Sequence, residues 1–261
     1  MDVRIRAALA ALSLVLLSSC GGGSSSDNSD FEGIWRGTYT PDGSSRVPLV
    51  AVARHGSTAF FYDSNGLTFV IPNFAGPGDV AQGGQLFPAF GFIFDNGSHS
   101  LPIDLKASVS ASQITGTLTV NAAVLRFALT GDRPFSGDPS IVPGRWTGSV
   151  RGPDTAGTDL TFGRAPITVT VAPDGTFSGT ELSGCNISGT ITPSLSGDNL
   201  FDVSLTQSSF RGFEHCGGAM AGLGYESDTD DADFFEHAPG IYYYIVVSNN
   251  NVALDLELHA K

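Results

Sequence analysis

The side chains best able to do chemistry lie in one acidic segment. Residues 226–233 have the sequence ESDTDDAD, and carboxylate oxygens of this kind are ligands for Ca²⁺. The helix–loop–helix calcium pattern would need an oxygen ligand at Ala232, a glycine at Asp233 and a glutamate at Pro239, so it fails at all three positions. A different calcium site is an alternative, with Asp228, Asp230, Asp231 and Asp233 as candidate ligands. We favour a solvated loop between two strands.

Aromatic residues form the second candidate site. Phe90, Phe92 and Phe94 alternate along the chain, so a strand would place them on one face. Together with Trp35 and Arg126 they could line a hydrophobic pocket inside a small barrel, which has room for packed side chains or for one small ligand. A packed core is the favoured interpretation. The Gly- and Pro-rich stretch from Pro72 to Gln85 is interpreted as a long loop, either a lid or a partner-binding loop.

Motifs for catalysis and for phosphate binding are missing from the sequence. The chain has no Gly-x-Ser-x-Gly, no His-Glu-x-x-His, no Ser-x-x-Lys and no Gly-Lys-Ser/Thr. Its five histidines are scattered. We therefore expect a protein that is not an enzyme and that needs no cofactor.

The elements that must position these residues follow from a repeated pattern. Gly33-Ile34-Trp35-Arg36-Gly37 recurs 111 positions later as Gly144-Arg145-Trp146-Thr147-Gly148, and the sequence has no other tryptophan. Period-two alternation is common after each copy, and sustained helical periodicity is absent. We predict eight strands per copy, the first set at about 33–40, 46–54, 57–63, 67–71, 86–94, 102–109, 112–120 and 123–130. The second set is predicted at about 144–151, 165–172, 175–182, 186–192, 199–206, 218–225, 240–248 and 251–258.

The fold class predicted is all-β, with two tandem antiparallel barrels of about eight strands each, because a closed barrel leaves no exposed strand edge. A Gly-x-Trp on the first strand resembles the lipocalin and avidin group of small barrels. In lipocalins an arginine on the last strand packs across that tryptophan, and the resemblance implies this role for Arg126 in the first copy. The second copy has no arginine in its last strand. The resemblance concerns architecture and implies no activity.

The N-terminus predicts export and lipidation. Arg4 and Arg6 precede an apolar run too short to span a bilayer, and Leu17-Ser18-Ser19-Cys20 resembles the lipobox of bacterial lipoproteins. The resemblance implies cleavage before Cys20 and lipidation of its thiol. Residues 20–30 form a Gly- and Ser-rich tether, and Gly21 after the cysteine favours the outer membrane. We therefore predict a lipid-anchored protein of the bacterial cell envelope.

Charge and cysteine content narrow the possible partners. The formal net charge of −13 becomes −14 when residues 1–19 are removed, because one acid and two bases leave with them. That balance argues against nucleic acid and against an anionic membrane surface as partners. Cys185 and Cys216 are predicted to form one disulfide, since the compartment is oxidising and Cys20 is assigned to lipid.

These observations give a domain plan and a broad function. We expect a signal peptide at 1–19, a lipidated tether at 20–30, a first barrel at 31–132, a linker at 133–142 and a second barrel at 143–261. The predicted function is a non-catalytic binding module for a small apolar ligand or an envelope protein. The alternative is a structural accessory subunit of an envelope assembly. An empty Phe-lined cavity in the first copy would favour the ligand, whereas filled barrels with an exposed apolar patch would favour a protein partner.

Overall fold

The computed structural model describes most of the two barrels. It covers residues 33–41, 45–54, 56–63, 67–74, 80–87, 101–110, 112–120, 122–131, 141, 143–151, 165–181, 184–194, 199–209, 216–227, 241–249 and 253–260. Residues 1–32, with the predicted signal peptide and Cys20, lie outside this set. Within it, no helix has the length and hydropathy needed to cross a membrane.

The first barrel is an up-and-down arrangement in which each strand pairs with the next and the last pairs with the first. Its closure is set by the register of β8 on β1, where Gly131 lies opposite Trp35. Its described strands are β1 (Gly33–Thr40), β2 (Val47–Ala53), β3 (Ala59–Asp63), β4 (Thr68–Ile71), β5 (Val80–Phe87), β6 (Leu101–Ser110), β7 (Gln113–Val120) and β8 (Ala123–Gly131).

The second barrel repeats this topology, and β16 closes it against β9. Its described strands are β9 (Gly144–Arg151), β10 (Ala165–Val171), β11 (Thr176–Glu181), β12 (Cys185–Pro193), β13 (Leu200–Ser209), β14 (Gly218–Ser227), β15 (Tyr242–Ser248) and β16 (Ala253–Ala260). All neighbouring strands are antiparallel, so the predicted fold class of two tandem antiparallel barrels is confirmed.

The repeated Gly-x-Trp-x-Gly pattern has the same structural basis in both copies. Gly33 and Gly144 adopt φ values of 142° and 139°, a region that side chains disfavour. Gly37 and Gly148 lie against the closing strand, where an added Cβ would come within 2.1 Å of the Ala128 carbonyl oxygen or 1.8 Å of the Glu257 carbonyl oxygen. The first glycine therefore starts the strand, and the second lets the barrel close.

The predicted strands of the second copy differ from the observed ones by three residues or fewer at each end, but one strand of the first copy was misplaced. We predicted a strand at 86–94 and a loop from Pro72 to Gln85, whereas β5 occupies Val80–Phe87. The Gly83-Gly84 pair hid this strand, since glycine weakens isolated strands. Pairing with β4 and β6 on both sides overrides that local preference. The predicted face of Phe90, Phe92 and Phe94 lies outside the described residues.

Candidate functional site

Buried apolar side chains of each barrel pack together in its described interior. Among the described residues, each interior contains a cluster of eighteen buried apolar side chains. Trp35 lies in the first cluster, and Trp146 in the second stacks on Tyr243 with ring centroids 4.1 Å apart. A barrel of this size has room for packed side chains or for one small ligand. Trp35 therefore packs among core residues, and the choice between core and pocket at Phe90, Phe92 and Phe94 stays a prediction.

Among the described residues, each interior has one buried carboxylate, which lies at the end of a strand. In the first barrel Asp63 accepts hydrogen bonds from the Tyr39 hydroxyl and from the Leu67 amide, both at 2.7 Å. In the second, Glu181 accepts one from the Gln207 amide at 2.5 Å, and Gln207 in turn accepts one from the Gly217 amide at 2.7 Å. Donors from the same barrel therefore satisfy these carboxylates, which indicates a structural role.

The structure does not bring Arg126 to Trp35, so the contact implied by the lipocalin resemblance is corrected. Arg126 lies opposite Thr40, five residues along β1 from Trp35, which is roughly 17 Å for an extended strand. Its side chain is exposed on the outer wall, while Trp35 points inward. Gly131 takes the place opposite the indole, and an added Cβ there would lie 3.3 Å from the ring.

The two cysteines of the second copy form the predicted disulfide. Cys185 and Cys216 are bonded, with their Cα atoms 5.9 Å apart. The bond ties the start of β12 to the segment that leads into β14. Hydrogen bonds from the Asn249 side chain to the carbonyl oxygens of Gly217 and Ala219 hold the same segment. The disulfide therefore cross-links two neighbouring segments at one end of the second barrel.

The calcium candidates Asp228, Asp230, Asp231 and Asp233 lie outside the described residues. Within the described part, no group of three or more His, Cys, Asp or Glu side chains is placed to hold a metal ion. The calcium site therefore stays an untested prediction.

Among the described residues, a further buried cluster lies where the two barrels meet, a region that we call the junction. Six apolar side chains on the outer face of β1–β4 pack against six from β13–β16. The first barrel contributes Ile34, Val50, Val52, Phe60, Tyr62 and Val70, and the second contributes Leu200, Leu223, Tyr225, Tyr244, Val246 and Ala253. The barrels therefore share a continuous buried surface in addition to their separate cores.

Four aromatic rings form a chain across the junction. Phe60 stacks on Tyr225 at 6.1 Å between centroids, Tyr225 stacks on Tyr244 at 5.1 Å, and Tyr244 contacts Tyr62 at 5.6 Å. Aromatic pairs at these separations add to the stabilisation from buried area alone. The first and last of these four rings belong to the first barrel and the two middle rings belong to the second. The rings therefore connect the two barrels through direct side-chain contacts.

A buried polar triangle lies at one edge of the junction. Arg151 forms an ion pair with Asp255 within the second barrel and donates a hydrogen bond to the Thr68 hydroxyl at 2.7 Å. That hydroxyl donates to Asp255 at 2.6 Å. The three residues are 3%, 5% and 0% exposed in the order Arg151, Asp255, Thr68. The first barrel therefore completes the hydrogen bonding of a buried ion pair that belongs to the second.

Two further polar contacts lie across the junction. Arg54 forms an ion pair with Asp202, and the hydroxyls of Thr58 and Ser248 lie 3.2 Å apart. The Arg54–Asp202 pair is partly exposed, so its contribution to stability is small. These contacts add two polar links between the barrels.

Sequence reasoning missed the junction, although a signal was present. Leu49 to Ala53, Ala59 to Tyr62 and Tyr243 to Val247 are continuous apolar runs in which every residue is buried. A strand with one solvated face alternates, whereas a strand covered on both faces does not. The loss of alternation in these runs indicates a second covered face.

Neither a known protein family nor a curated protein matches the sequence. Among solved structures, transferrin binding protein B (isotype 1) of serogroup B Neisseria meningitidis is similar at 10% identity and a TM-score of 0.32. That match covers 83% of this chain and 59% of the other. A tryptophan-to-alanine mutant of transferrin binding protein B from Haemophilus parasuis Hp5 is 11% identical, with a TM-score of 0.27 and coverage of 84% and 61%.

A third similar structure is a protein of unknown function from the DUF3598 family of Nostoc punctiforme. It is 10% identical, with a TM-score of 0.28, and the match covers 89% of this chain and 97% of the other. The chain thus spans about three fifths of the length of the two transferrin binding proteins. Likenesses this distant assign no function to it.

Proposed function

We propose that the protein is a non-catalytic binding module of the bacterial envelope, which holds a protein partner on the outside of its joined barrels. The packed clusters inside the barrels support this proposal, because eighteen described apolar side chains are buried in each core. A small apolar ligand would have to displace them, and native interiors are already close-packed. Binding on the walls or at the barrel ends needs no such displacement.

The placement of the buried polar groups supports a non-catalytic role. A catalytic site needs acids, bases or nucleophiles that converge on a space open to substrate. Asp63 and Glu181 each take hydrogen bonds within their own barrel, and Asp255 is neutralised by Arg151 inside the junction. Each of these described carboxylates has a structural task.

The anchoring part of the proposal rests on the lipobox resemblance and the tether. Lipid on Cys20 would hold the barrels at the membrane, with residues 31–132 nearest to it and residues 143–261 beyond. Several acyl chains give stable membrane attachment, whereas one gives only marginal binding. Gly21 after the cysteine favours the outer membrane.

Metabolic labelling tests the anchor. Cells that express the full chain are given radioactive palmitate, and we expect label on the protein and none on a Cys20→Ser variant. Equal labelling of both chains, or no labelling of either, would overturn the lipid anchor.

Native mass spectrometry and photo-cross-linking test the binding role. For the chain from residue 21 onward, exported to the periplasm, we expect the native mass to equal the denatured mass. A small adduct lost on unfolding would overturn the filled-barrel argument. A photo-reactive residue at exposed Thr206 or Thr170 should capture a discrete envelope protein, and one at buried Leu205 should not. Failure at every exposed wall position would overturn protein binding on the walls.

A further inference from the structure

The apolar side chains of the junction come from four strands of each barrel. In the first barrel they lie on β1 to β4, and in the second on β13 to β16. None of the twelve is more than 8% exposed. Each barrel therefore covers part of the outer face on four strands of the other, and unfolding of either barrel would expose that apolar face to water.

Some strands contribute to a barrel interior and to the junction at the same time. On β2, Ala51 lies in the first core and the next residue, Val52, lies in the junction. On β15, Ile245 lies in the second core and Val246 lies in the junction. Successive side chains of a strand point to opposite faces, so one strand holds both clusters together. Such a strand cannot leave its own barrel while the junction stays intact.

The buried polar triangle brings the first barrel to the seam that closes the second. β16 closes the second barrel against β9, and Asp255 lies opposite Arg151 in that pairing. Thr68 of the first barrel makes hydrogen bonds with both side chains and is fully buried. Part of the hydrogen bonding at this seam therefore comes from the other barrel.

Contacts between the domains of one chain decide whether those domains behave independently. Domains that share a small, polar contact move relative to one another and do not unfold in a single step. A large apolar contact is the exception. The junction is of this second kind, because twelve buried apolar side chains form it and four aromatic rings connect the barrels across it.

We propose that the junction couples the two barrels into one cooperative unit, so that a change in the stability of either barrel changes the stability of the other to the same extent. A partner that binds only the folded state stabilises everything that unfolds together with its site. A partner on the wall of one barrel would therefore stabilise both. Only this last consequence rests on the proposed function, whereas the coupling is a property of the chain alone.

The two tryptophans allow each barrel to be followed separately. Trp35 lies in the first core, Trp146 lies in the second, and the chain has no other tryptophan. In the chain from residue 21 onward, Trp146→Phe leaves a reporter in the first barrel, and Trp35→Phe leaves one in the second. Urea unfolding followed by tryptophan fluorescence then gives a midpoint for each barrel, and each further variant is compared with its own reporter chain.

Core substitutions in one barrel test whether the other barrel responds. Leu205→Ala leaves a cavity in the second core, and we expect it to lower the midpoint of both reporters equally, on the order of 1 M urea. Leu49→Ala is the reciprocal change in the first core and should also lower both midpoints equally. A shift confined to the reporter of the altered barrel would overturn the proposal.

Two matched valine substitutions in the first barrel test whether the junction carries the coupling. Thr68→Val removes the hydroxyl that binds Arg151 and Asp255, so the Trp146 reporter should unfold at a midpoint lower by roughly 0.5 M urea. Thr115→Val makes the same change at an exposed position of β7, and the Trp146 midpoint should stay the same. An unchanged midpoint in Thr68→Val, or an equal shift in both variants, would overturn the role of the junction. None of these outcomes bears on the cross-linking result, which concerns the outer walls.

Discussion

The outer faces of β2–β4 and β10–β12 occupy the same places in the repeat, yet one is buried and the other is solvated. The registers on the two tryptophan strands align Val50 with Thr168 and Val52 with Thr170. Continued across the next strands, they align Phe60 with Ser178, Tyr62 with Thr180 and Val70 with Ser188. Ile34 likewise corresponds to Arg145. Six apolar junction residues thus have six polar counterparts in the second copy.

The inward positions of the same strands show no such change. Leu49 and Ala51 correspond to Ile167 and Val169, and all four are buried in the barrel interiors. Matching inward positions of the two copies therefore both carry apolar residues, whereas matching outward positions differ in polarity. Whether a wall is apolar or hydroxylated depends on whether another barrel covers it.

The sharpest way to break this comparison is to place one charge at matched positions. Val52→Asp would bury a carboxylate without a partner in the junction, at a cost of at least about 4 kcal/mol. Thr170→Asp places the same group on an exposed wall, and its effect should stay within about 0.5 kcal/mol. Urea unfolding of both variants measures the difference. Similar midpoints for the two would show that the junction is not closed to water.

The next effect concerns the buried ion pair. Asp255→Leu leaves the Arg151 charge buried without its counter-ion, which should lower the free energy of unfolding by about 3–5 kcal/mol. The double variant Arg151→Met, Asp255→Leu should recover most of that loss, because no charge is then buried. Arg126 takes the place of Asp255 in the first copy, so Arg126→Gln is the matched control and should change little. A double variant no more stable than the single would contradict this account.

The disulfide tests a difference between the barrels that does not involve the junction. Cys185→Ser, Cys216→Ser removes a link across 31 residues, and the chain-entropy estimate for such a loop is about 3–4 kcal/mol. In the chain from residue 21 onward, Cys185 and Cys216 are the only cysteines. A free-thiol assay on this parent chain therefore reports directly whether they are bonded, and the variant serves as the thiol-free control. Two reactive thiols in the native parent would refute the link.

The smallest effect is expected at the turn between β10 and β11. The Thr176 hydroxyl and amide donate to Asp174 at 2.7 and 3.0 Å and hold the pKa of this carboxyl below its usual value of 3.8. A lowered folded-state pKa adds stability above about pH 3.8, and this stability is lost as the pH falls through the lower value. Asp174 is fully exposed, so the change is slight. In Asp174→Asn, the urea midpoint of unfolding should depend less on pH in this range than it does in the parent. An unchanged dependence on pH would contradict the role given to Asp174.

Much of the fold could be predicted because local and global signals agree in it. The two tryptophan strands, the alternating strands of the second copy and the cysteine pair all follow from short-range pattern. β5 could not be found in this way, because its Gly83-Gly84 pair has no intrinsic strand preference and the neighbouring strands determine its structure. Pattern shows what a segment prefers, and pairing can override a weak preference.

The candidate site was less predictable for a physical reason. The role of Arg126 was carried over from a resemblance, whereas its true position depends on the register of β8 on β1, which no short motif specifies. The junction required knowing which outer faces meet, a property of the assembled barrels. In the sequence, the unbroken apolar runs of β2, β3 and β15 are the signal that indicates the junction.

The junction joins unlike faces, and this has a consequence for assembly. The early strands of one barrel contact the late strands of the next, so the contact is heterologous, and repeated contacts of this kind build open-ended stacks unless rotation closes them into a ring. Here the two faces that would extend the stack carry hydroxyls on β10–β12 and bases on β6–β8. They act as caps, in the way that polar terminal repeats keep solenoid proteins soluble. A third barrel added by the same contact would find no apolar face to cover among the described strands.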